Sequence, residues 1–342
     1  MRIPINIGGV NIKAGHAVTV DLDVPDLYTH TGVTLPVHVI HGQEDGPALF
    51  LSAAVHGDEI NGVEIIRRIL KHKQINQIKG TLLAVPVVNI YGFINKSRYL
   101  PDRRDLNRSF PGSVTGSLAA RMANVFLHEI VSKCTHGVDL HTAAIHRDNM
   151  PHVRALLEDK ETERVARAFA LPVILNTSIV AGSLRESAVK AGVTVIVYEA
   201  GEALRFNEDA IQRGNEGILS VMREIGMLPR LKKTRSKVRP LVAQSSTWVR
   251  APQSGILRSL KSLGAKVHKD ELMGIISDPF GMKEEEVRAS ANGIIIGQTV
   301  IPLVNEGEAL FHIAQFKTTD ELDDHLEEIQ NYMYPMAEEL KP

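Results

Sequence analysis

The sequence predicts an α/β fold with a mixed central sheet and flanking helices, followed by a smaller all-β barrel-sandwich domain. From about residue 15 to 226, short apolar runs alternate with helical patterns, which is typical of strands joined by crossover helices. A basic, proline-bounded stretch follows, and beyond it the chain changes to short β-like runs separated by turn residues.

The first part contains clear candidates for strands and helices. The predicted strands are Ala17–Leu22, Leu35–His41, Ala48–Val55, Leu82–Val88, Gly137–His141, Val173–Leu175 and Val193–Glu199. The predicted helices are Glu59–Lys71, Leu118–Cys134, Glu161–Ala170, Leu184–Lys190 and Asn207–Gly226. Because the first two strands follow each other without room for a helix, we expect a mixed sheet.

The second part repeats a short pattern. The segment 250–257 (RAPQSGIL) returns at the same spacing as 288–295 (RASANGII), and each half then reaches a second apolar run, Leu272–Ile276 or Ala309–Ile313. The two halves resemble the barrel-sandwich of biotinyl and lipoyl domains. Those domains carry a modified lysine on a hairpin near the position of Lys283, but the residues around Lys283 do not match, so we expect no covalent cofactor there.

These patterns divide the chain into four segments. We predict an α/β catalytic domain over residues 1–227, a linker over 228–242, a β domain over 243–316 and an acidic helical tail over 317–342. Two roles fit the β domain, a lid that excludes water from a site and an interface in a homo-oligomer, and the sequence does not rank them.

Composition excludes several classes of partner. The net charge is −1 and the pI about 6.9, so no overall field favours nucleic acid or an anionic membrane, and we interpret the basic linker as a solvated connector. No apolar run approaches the ~20 residues of a membrane span, and the N-terminus lacks the apolar segment of a secretory signal. The single cysteine, Cys134, predicts a buried thiol, and with these features we expect a cytoplasmic protein.

Potential metal ligands follow two of the predicted strands. His56-Gly-Asp-Glu59 comes after Ala48–Val55, and His141 ends Gly137–His141. A catalytic zinc site uses three such nitrogen and oxygen ligands and keeps one position open. Taken alone, His-x-x-Glu is more often a coincidence of acidic residues at a helix start. His146 and His152 are weaker candidates because they lie beyond the strand among polar residues.

Two further segments add polar groups. The loop 97–112 is dense in arginine and contains Asn107 and Arg108, which suit a carboxylate but also fit a solvated loop with Asp–Arg pairs. Glu199 ends an apolar strand and is a candidate general base, although alone it would be an ordinary strand-end charge. Arg185 begins a predicted helix, and we interpret it as a helix-start charge rather than a substrate contact.

Four motifs in this order resemble the succinylglutamate desuccinylase and aspartoacylase family, relatives of the zinc carboxypeptidases. They are His56-x-x-Glu59, Asp105-Leu-Asn-Arg-Ser-Phe-Pro-Gly112, Asp139-Leu-His-Thr142 and Glu199-x-Gly201. The resemblance covers essentially the whole chain, since many members also carry a C-terminal β domain. It implies a zinc carboxypeptidase-like fold for the first domain.

The resemblance also implies roles for single residues. His56, Glu59 and His141 would bind one zinc ion per chain, and Glu199 would activate the attacking water. Asn107 and Arg108 would hold the substrate carboxylate. Arg98 would stabilise the oxyanion, but Arg103 and Arg104 lie close by in the sequence and make its alignment ambiguous.

The implied function is a zinc-dependent hydrolase that deacylates an N-acyl amino acid. A metallocarboxypeptidase acting on short or γ-linked peptides is the close alternative, because both substrates present an amide beside a carboxylate. A non-catalytic binding or scaffold protein on the same fold is an alternative of another class, and bound metal would argue against it.

Overall fold

One mixed sheet runs through the computed structural model, which describes residues 2–231 and 240–317. The strands in the first of these ranges are β1 (Ile5–Ile7), β2 (Val10–Ile12), β3 (His16–Asp23), β4 (Thr34–His41), β5 (Ala48–Ala53), β6 (Thr81–Val85), β7 (His136–Ala143), β8 (Arg147–Ala155), β9 (Val173–Asn176) and β10 (Thr194–Glu202). The helices are α1 (Asn61–Leu70), α2 (Ile90–Ile94), α3 (Leu118–Glu129), α4 (Lys160–Ala168), α5 (Leu184–Lys190) and α6 (Glu208–Glu224).

The centre of the sheet is parallel and its flanks are antiparallel. Strands β6, β5, β7 and β10 lie side by side in that order and run in the same direction. Strands β4 and β3 continue the sheet beyond β6, and β8 continues it beyond β10, all in antiparallel pairs. The mixed sheet predicted from the sequence is confirmed.

Helices cover both faces of the sheet because each carries one apolar stripe. Helices α1, α4 and α6 pack on one face, where the rings of Phe169 and Tyr198 stack with their centroids 5.2 Å apart. Helices α3 and α5 pack on the other face, where Phe126 meets the edge of Phe50 at 6.1 Å. Cys134 is buried in this second core, as predicted.

All regular secondary-structure elements in residues 240–317 are β-strands. The strands are β11 (Leu241–Ala243), β12 (Ser245–Arg250), β13 (Gly255–Ser259), β14 (Lys266–Val267), β15 (Leu272–Ser277), β16 (Glu284–Arg288), β17 (Gly293–Thr299), β18 (Leu303–Val304) and β19 (Ala309–Gln315). Strands β16, β15, β13 and β18 form a separate sheet, which shares a core with β17 and β19. The barrel-sandwich assignment and the domain boundaries stay predictions.

Strand β8 connects the two parts of the chain. One edge pairs with β10, while the other edge pairs first with β17, through Gly297 and Asn149, and then with β9, through Ile174 and Val153. Strands β17, β19 and β12 therefore extend the sheet that contains β5, β7 and β10. As a result, these C-terminal strands lie in the same sheet as the strands of the first part of the chain.

The structure corrects several details of the sequence prediction. Strand β8 was not predicted, because the charged and polar residues 147–149 conceal its apolar end. Helix α1 begins at Asn61 rather than Glu59, and α3 ends at Glu129 rather than Cys134. The predicted tail from residue 318 onward and most of the linker, residues 232–239, lie outside the described residues. Within the described ranges, no helix is long and apolar enough to span a membrane.

Candidate metal centre and substrate pocket

Three neighbouring strands deliver the candidate metal and base residues to one edge of the sheet. His56 follows β5, His141 lies near the end of β7, and Glu199 lies near the end of β10. These strands are parallel, so their carboxyl ends meet, which is where open α/β sheets bind ligands. Glu199 and His141 are direct register partners on adjacent strands.

A tight turn after β5 orients His56 and Glu59. Ala54 has a φ of 48°, in the left-handed region that side chains other than glycine rarely adopt. Gly57 packs so closely on α2 that a Cβ there would lie 2.0 Å from the carbonyl carbon of Gly92. Only glycine fits at position 57, and this close approach holds the turn against α2.

The three predicted metal ligands come together around one point. The candidate ligand atoms of His56, Glu59 and His141 all lie within 4.8 Å of one another, and all three residues are buried. Both Nδ1 atoms approach the Glu59 carboxylate, His56 Nδ1 at 2.7 Å from Oε1 and His141 Nδ1 at 2.7 Å from Oε2. The backbone N–H of Thr142 also donates to Oε2, at 3.1 Å.

Carboxylates hold the outer side of both imidazoles. His56 Nε2 lies 3.2 Å from Asp105 Oδ1, and His141 Nε2 lies 2.8 Å from Asp139 Oδ2. Ser52 Oγ donates to the other oxygen of Asp139, at 2.7 Å. A carboxylate on the outer nitrogen fixes the ring and leaves Nδ1 for a metal, the usual arrangement around metal-binding histidines.

The charges of this cluster are balanced despite its burial. Burial alone would raise the pKa of Glu59, but His56 and His141 outweigh it and lower that pKa below its ordinary value. Burial would lower the pKa of His141, but Asp139 and Glu59 raise it well above 6.5. The cluster is therefore suited to hold cationic charge, and its two nitrogens and one carboxylate are a donor set that fits zinc.

Arg98 lies at the edge of the cluster. Its Nη1 donates to Glu59 Oε1 at 3.2 Å, and its Nη2 donates to Asp105 Oδ2 at 3.0 Å. Of the three arginines that the sequence left open in this loop, Arg98 lines the cavity, whereas Arg103 and Arg104 are exposed and do not. The structure thus removes the ambiguity of position, while the role of Arg98 stays a prediction.

A cavity of about 350 Å³ opens onto the cluster, and Glu199 lies in its wall. Asn149 Nδ2 donates to Glu199 Oε2 at 3.1 Å, and Arg154 Nη1 donates to Oε1 at 3.2 Å. Both donors come from β8, the neighbouring strand. Two donors on different oxygens hold the carboxylate in one orientation in the wall of the cavity that His141 also lines.

The predicted substrate residues form another part of the wall. Asn107 Oδ1 accepts from the backbone N–H of Leu184 at 2.9 Å, which ties the arginine-rich loop to the start of α5. Arg108 Nη1 donates to the Asn107 carbonyl oxygen at 2.6 Å. Both side chains line the same cavity as the metal cluster.

Arg185 was interpreted from the sequence as a helix-start charge, and the structure corrects this. The residue is 9% exposed and lines the cavity. It donates to Thr177 Oγ1 at 3.0 Å and to the Ser178 carbonyl oxygen at 2.7 Å, which are both neutral groups. Burial, together with the nearby Arg154, lowers the pKa of Arg185 to about 10, against the opposing effect of the Glu199 carboxylate.

The cavity contains more cations than its carboxylates neutralise. Arg98 and Arg154 pair with carboxylates. Arg108, Arg147 and Arg185 also line it, but none of them has a carboxylate partner among the residues that the structure describes. Such unpaired guanidinium groups favour an anionic ligand.

Sequence reasoning missed several residues of this site. Asp105 and Asp139 belong to the quoted motifs but received no role. Asp139 had a detectable signal, because it lies two residues before the candidate ligand His141, whereas Asp105 reaches His56 from a distant loop. Asn149 and Arg154 lie on the unpredicted β8. Trp248 reaches the cavity from β12 and offered no local signal.

Known proteins are similar in sequence to most of this chain. Residues 45–225, just over half of the chain, match the family described as succinylglutamate desuccinylase/aspartoacylase catalytic domain. N-α-acetyl-L-2,4-diaminobutyric acid deacetylase of Halomonas elongata is 25% identical over 295 residues, which is 83% of this chain and 86% of that protein.

Solved structures share the fold. The succinylglutamate desuccinylase/aspartoacylase of Rhodobacter sphaeroides has a TM-score of 0.78 at 22% identity, covering 88% of this chain and 96% of its own. The product-bound ectoine utilization protein EutE (DoeB) of Ruegeria pomeroyi also has a TM-score of 0.78, at 24% identity, with coverages of 88% and 95%.

Proposed function

Because the chain belongs to the succinylglutamate desuccinylase/aspartoacylase family, we propose that it is a zinc-dependent hydrolase that removes the acyl group from an N-acyl amino acid. One observation carries the proposal: the His56–Glu59–His141 cluster and Glu199 share a cavity with arginines that lack a carboxylate partner. This combination suits an amide whose substrate also carries a carboxylate. The Halomonas relative is a deacetylase, which favours deacylation over the carboxypeptidase alternative.

His56, Glu59 and His141 would hold the zinc ion, and Asp105 and Asp139 would orient the two imidazoles. Zinc in this position supplies Lewis acidity, which polarises an amide carbonyl and lowers the pKa of water. The two outer carboxylates contribute by keeping each Nδ1 directed at the ligand point.

Glu199 would act as the general base and then as the general acid. Its carboxylate accepts a proton from the water that attacks the amide carbon, and it returns that proton to the amine nitrogen when the carbon–nitrogen bond breaks. The products are a carboxylic acid and an amine. Arg98 lies beside Glu59, where its guanidinium would stabilise the negative charge that develops on the amide oxygen.

Asn107, Arg108 and Arg185 would fix the substrate by its carboxylate. Arg108 and Arg185 have no carboxylate partner among the described residues, and an amino-acid carboxylate would supply one. The hydrogen bond from the Leu184 N–H to Asn107 connects the loop that carries Asn107 and Arg108 to the helix that carries Arg185. Holding the carboxylate at a fixed distance from Glu199 sets which bond meets the attacking water.

The first test is the metal content of protein purified without chelator. We expect about one zinc per chain, lost in His56→Ala and Glu59→Ala and retained in His128→Ala, a surface histidine outside the cavity. Protein without tightly bound metal, or metal that both substitutions leave unchanged, would contradict the proposal and favour a non-catalytic binding protein.

The second test is amine release from a small panel of amides. The panel contains N-acetyl-L-2,4-diaminobutyrate, N-acetyl-L-aspartate, N-succinyl-L-glutamate and the dipeptide alanyl-alanine. Cleavage of an N-acyl amino acid that is lost in Glu199→Gln supports the assignment. Cleavage of the dipeptide alone would replace it with the carboxypeptidase alternative.

A further inference from the structure

We infer that Arg147 and Trp248 form a second substrate subsite that binds a carboxylate at the far end of the acyl group. This chain would then prefer amides of dicarboxylic acids to acetyl amides. The inference rests on the proposed function, because it takes the amide to be cleaved beside Glu199.

Trp248 is a rigid wall that the C-terminal strands bring to the cavity. It is the single tryptophan of the sequence, lies on β12 and lines the cavity. Its cross-strand partner on β19 is His312, and the two rings stack at 4.4 Å with an angle of 6° between their planes. Stacking and strand pairing together hold the indole in place.

Arg147 lies on this wall with its charge uncompensated. Its Cζ is 5.3 Å from the centroid of the Trp248 ring, a cation–π distance. No carboxylate lies within ion-pair distance of Arg147 in the ranges 2–231 and 240–317. An arginine that stacks on an aromatic ring is preorganised, so it loses little freedom when it binds an anion.

Arg147 and Arg185 lie at opposite ends of β8. Arg147 is the first residue of that strand. At the other end, the carbonyl oxygen of Ala155 accepts from the N–H of Thr177, whose hydroxyl binds Arg185. Glu199 contacts the strand between these ends.

This arrangement defines a substrate with an anionic group on each side of the amide. If Arg108 and Arg185 hold the carboxylate of the amino acid, Arg147 faces the acyl side. A neutral acetyl group would leave Arg147 unpaired, whereas a succinyl-type group would place a second carboxylate within its reach.

The cavity offers no matching partner for a cationic substrate group. The carboxylates that line it are Glu59, Asp139 and Glu199, and each is already bonded to a histidine, arginine or asparagine side chain. We therefore expect this chain to differ in the amine part that it accepts from a deacetylase whose substrate carries a free side-chain amine.

The test compares two acyl groups of similar shape on one amine. The N-succinyl and N-4-methylpentanoyl derivatives differ only at the far end of the acyl group. The succinyl group ends in a carboxylate, and the 4-methylpentanoyl group ends in an isopropyl group. Both derivatives are assayed together with the N-acetyl derivative on L-alanine, L-aspartate, L-glutamate and L-2,4-diaminobutyrate. On the best-accepted amine, we expect kcat/KM for the succinyl amide to exceed that for the 4-methylpentanoyl amide by about tenfold or more.

Variants at position 147 test whether Arg147 causes this preference. Arg147→Gln is expected to bring the succinyl to 4-methylpentanoyl ratio close to one, and Arg147→Lys to retain part of the preference. The matched control Arg258→Gln, an exposed arginine on β13 away from the cavity, should keep the ratio. Zinc content and thermal unfolding verify that each variant is folded.

The outcomes separate the subsite from the proposed function. Cleavage of acetyl or 4-methylpentanoyl amides as fast as succinyl amides, or a preference that Arg147→Gln leaves unchanged, would overturn the subsite while the hydrolase stands. Cleavage of no amide on any of the four amines would overturn the hydrolase itself and the subsite with it.

Discussion

The two sides of the cavity differ in how their charges are balanced. On the metal side, Glu59 meets two histidines and Arg98, and each imidazole meets a second carboxylate. On the opposite side, Arg147 and Arg185 contact an indole ring, hydroxyl and carbonyl groups, and no carboxylate in the described part of the chain.

This difference indicates where the counter-charges of each side come from. The metal side is preassembled from the chain's own groups and is suited to a permanently bound cation. The arginine side is incomplete, so its missing charge must arrive with a ligand. Arg185 is a buried cation without a bonded carboxylate, which is costly, and its retention beside a cavity favours anion binding over structural support.

The largest effect should come from the residue between the two sides. Glu199→Gln keeps the hydrogen-bonding shape but cannot accept a proton, so we expect kcat to fall by about a thousandfold while zinc content is unchanged. Steady-state kinetics and metal analysis measure both. Glu202→Gln, on the same strand but outside the cavity wall, serves as the control, and a similar loss in that variant would contradict the assignment.

Removing a cation from the arginine side should weaken substrate binding. For Arg185→Met we expect kcat/KM to fall by about a hundredfold, mainly through KM, because the substrate carboxylate loses a charged partner. The control is Lys190→Met at the exposed end of the same helix. Unchanged kinetics in Arg185→Met would show that this arginine does not meet the substrate.

Weakening the outer shell of the metal side should have a smaller effect. Asp139→Asn removes the carboxylate behind His141, and we expect zinc affinity to fall by about 10–100-fold. Competition with a chelator measures the affinity, and Asp21→Asn on β3 is the control. An affinity equal to that of the control would mean that Asp139 does not orient the ligand.

The smallest effect concerns two buried histidines beside cavity residues: His152 is the register partner of Glu199, and His312 stacks on Trp248. Burial and Arg154 lower the pKa of His152 to about 3 and that of His312 to about 4, from 6.5. Since the unfolded chain binds these protons more readily, the free energy of unfolding should fall as pH drops below about 6.5, by at most about 1.4 kcal/mol per pH unit for each histidine.

His152→Gln tests this acid sensitivity. Denaturant unfolding between pH 7 and pH 4 should show a shallower decline in the variant than in the wild type. The exposed His128→Gln control should keep the wild-type slope. Identical slopes in all three proteins would mean that His152 does not contribute to the pH dependence of stability.

Local sequence features predicted most of the central sheet and its helices. The apolar runs and helical periodicity identified β5, β7, β10 and α6 within a few residues, because these signals depend on burial of one face or one strand. Strand β8 escaped prediction, since its first residues are polar and only half-buried, and they become part of a strand through pairing with β10 and β17.

The candidate site likewise contains residues that the sequence predicted and one whose position only the structure showed. The sequence singled out His56, Glu59, Arg98, Asn107, Arg108, His141 and Glu199, and the structure brings all of them to one cavity. Their roles stay predictions. Arg185 was assigned to the helix start in preference to a substrate contact, because its burial against Thr177 and Ser178 is invisible in a helix-start pattern.

The sequence by itself determined the family, the mixed sheet and the set of groups that can hold a metal, since short motifs after strands fix residue type and spacing. Only the tertiary structure decided which arginines stay unpaired and that Trp248, from the far end of the chain, lines the cavity. Charge pairing and cavity shape depend on which distant segments pack together, and that information is not contained in any local pattern.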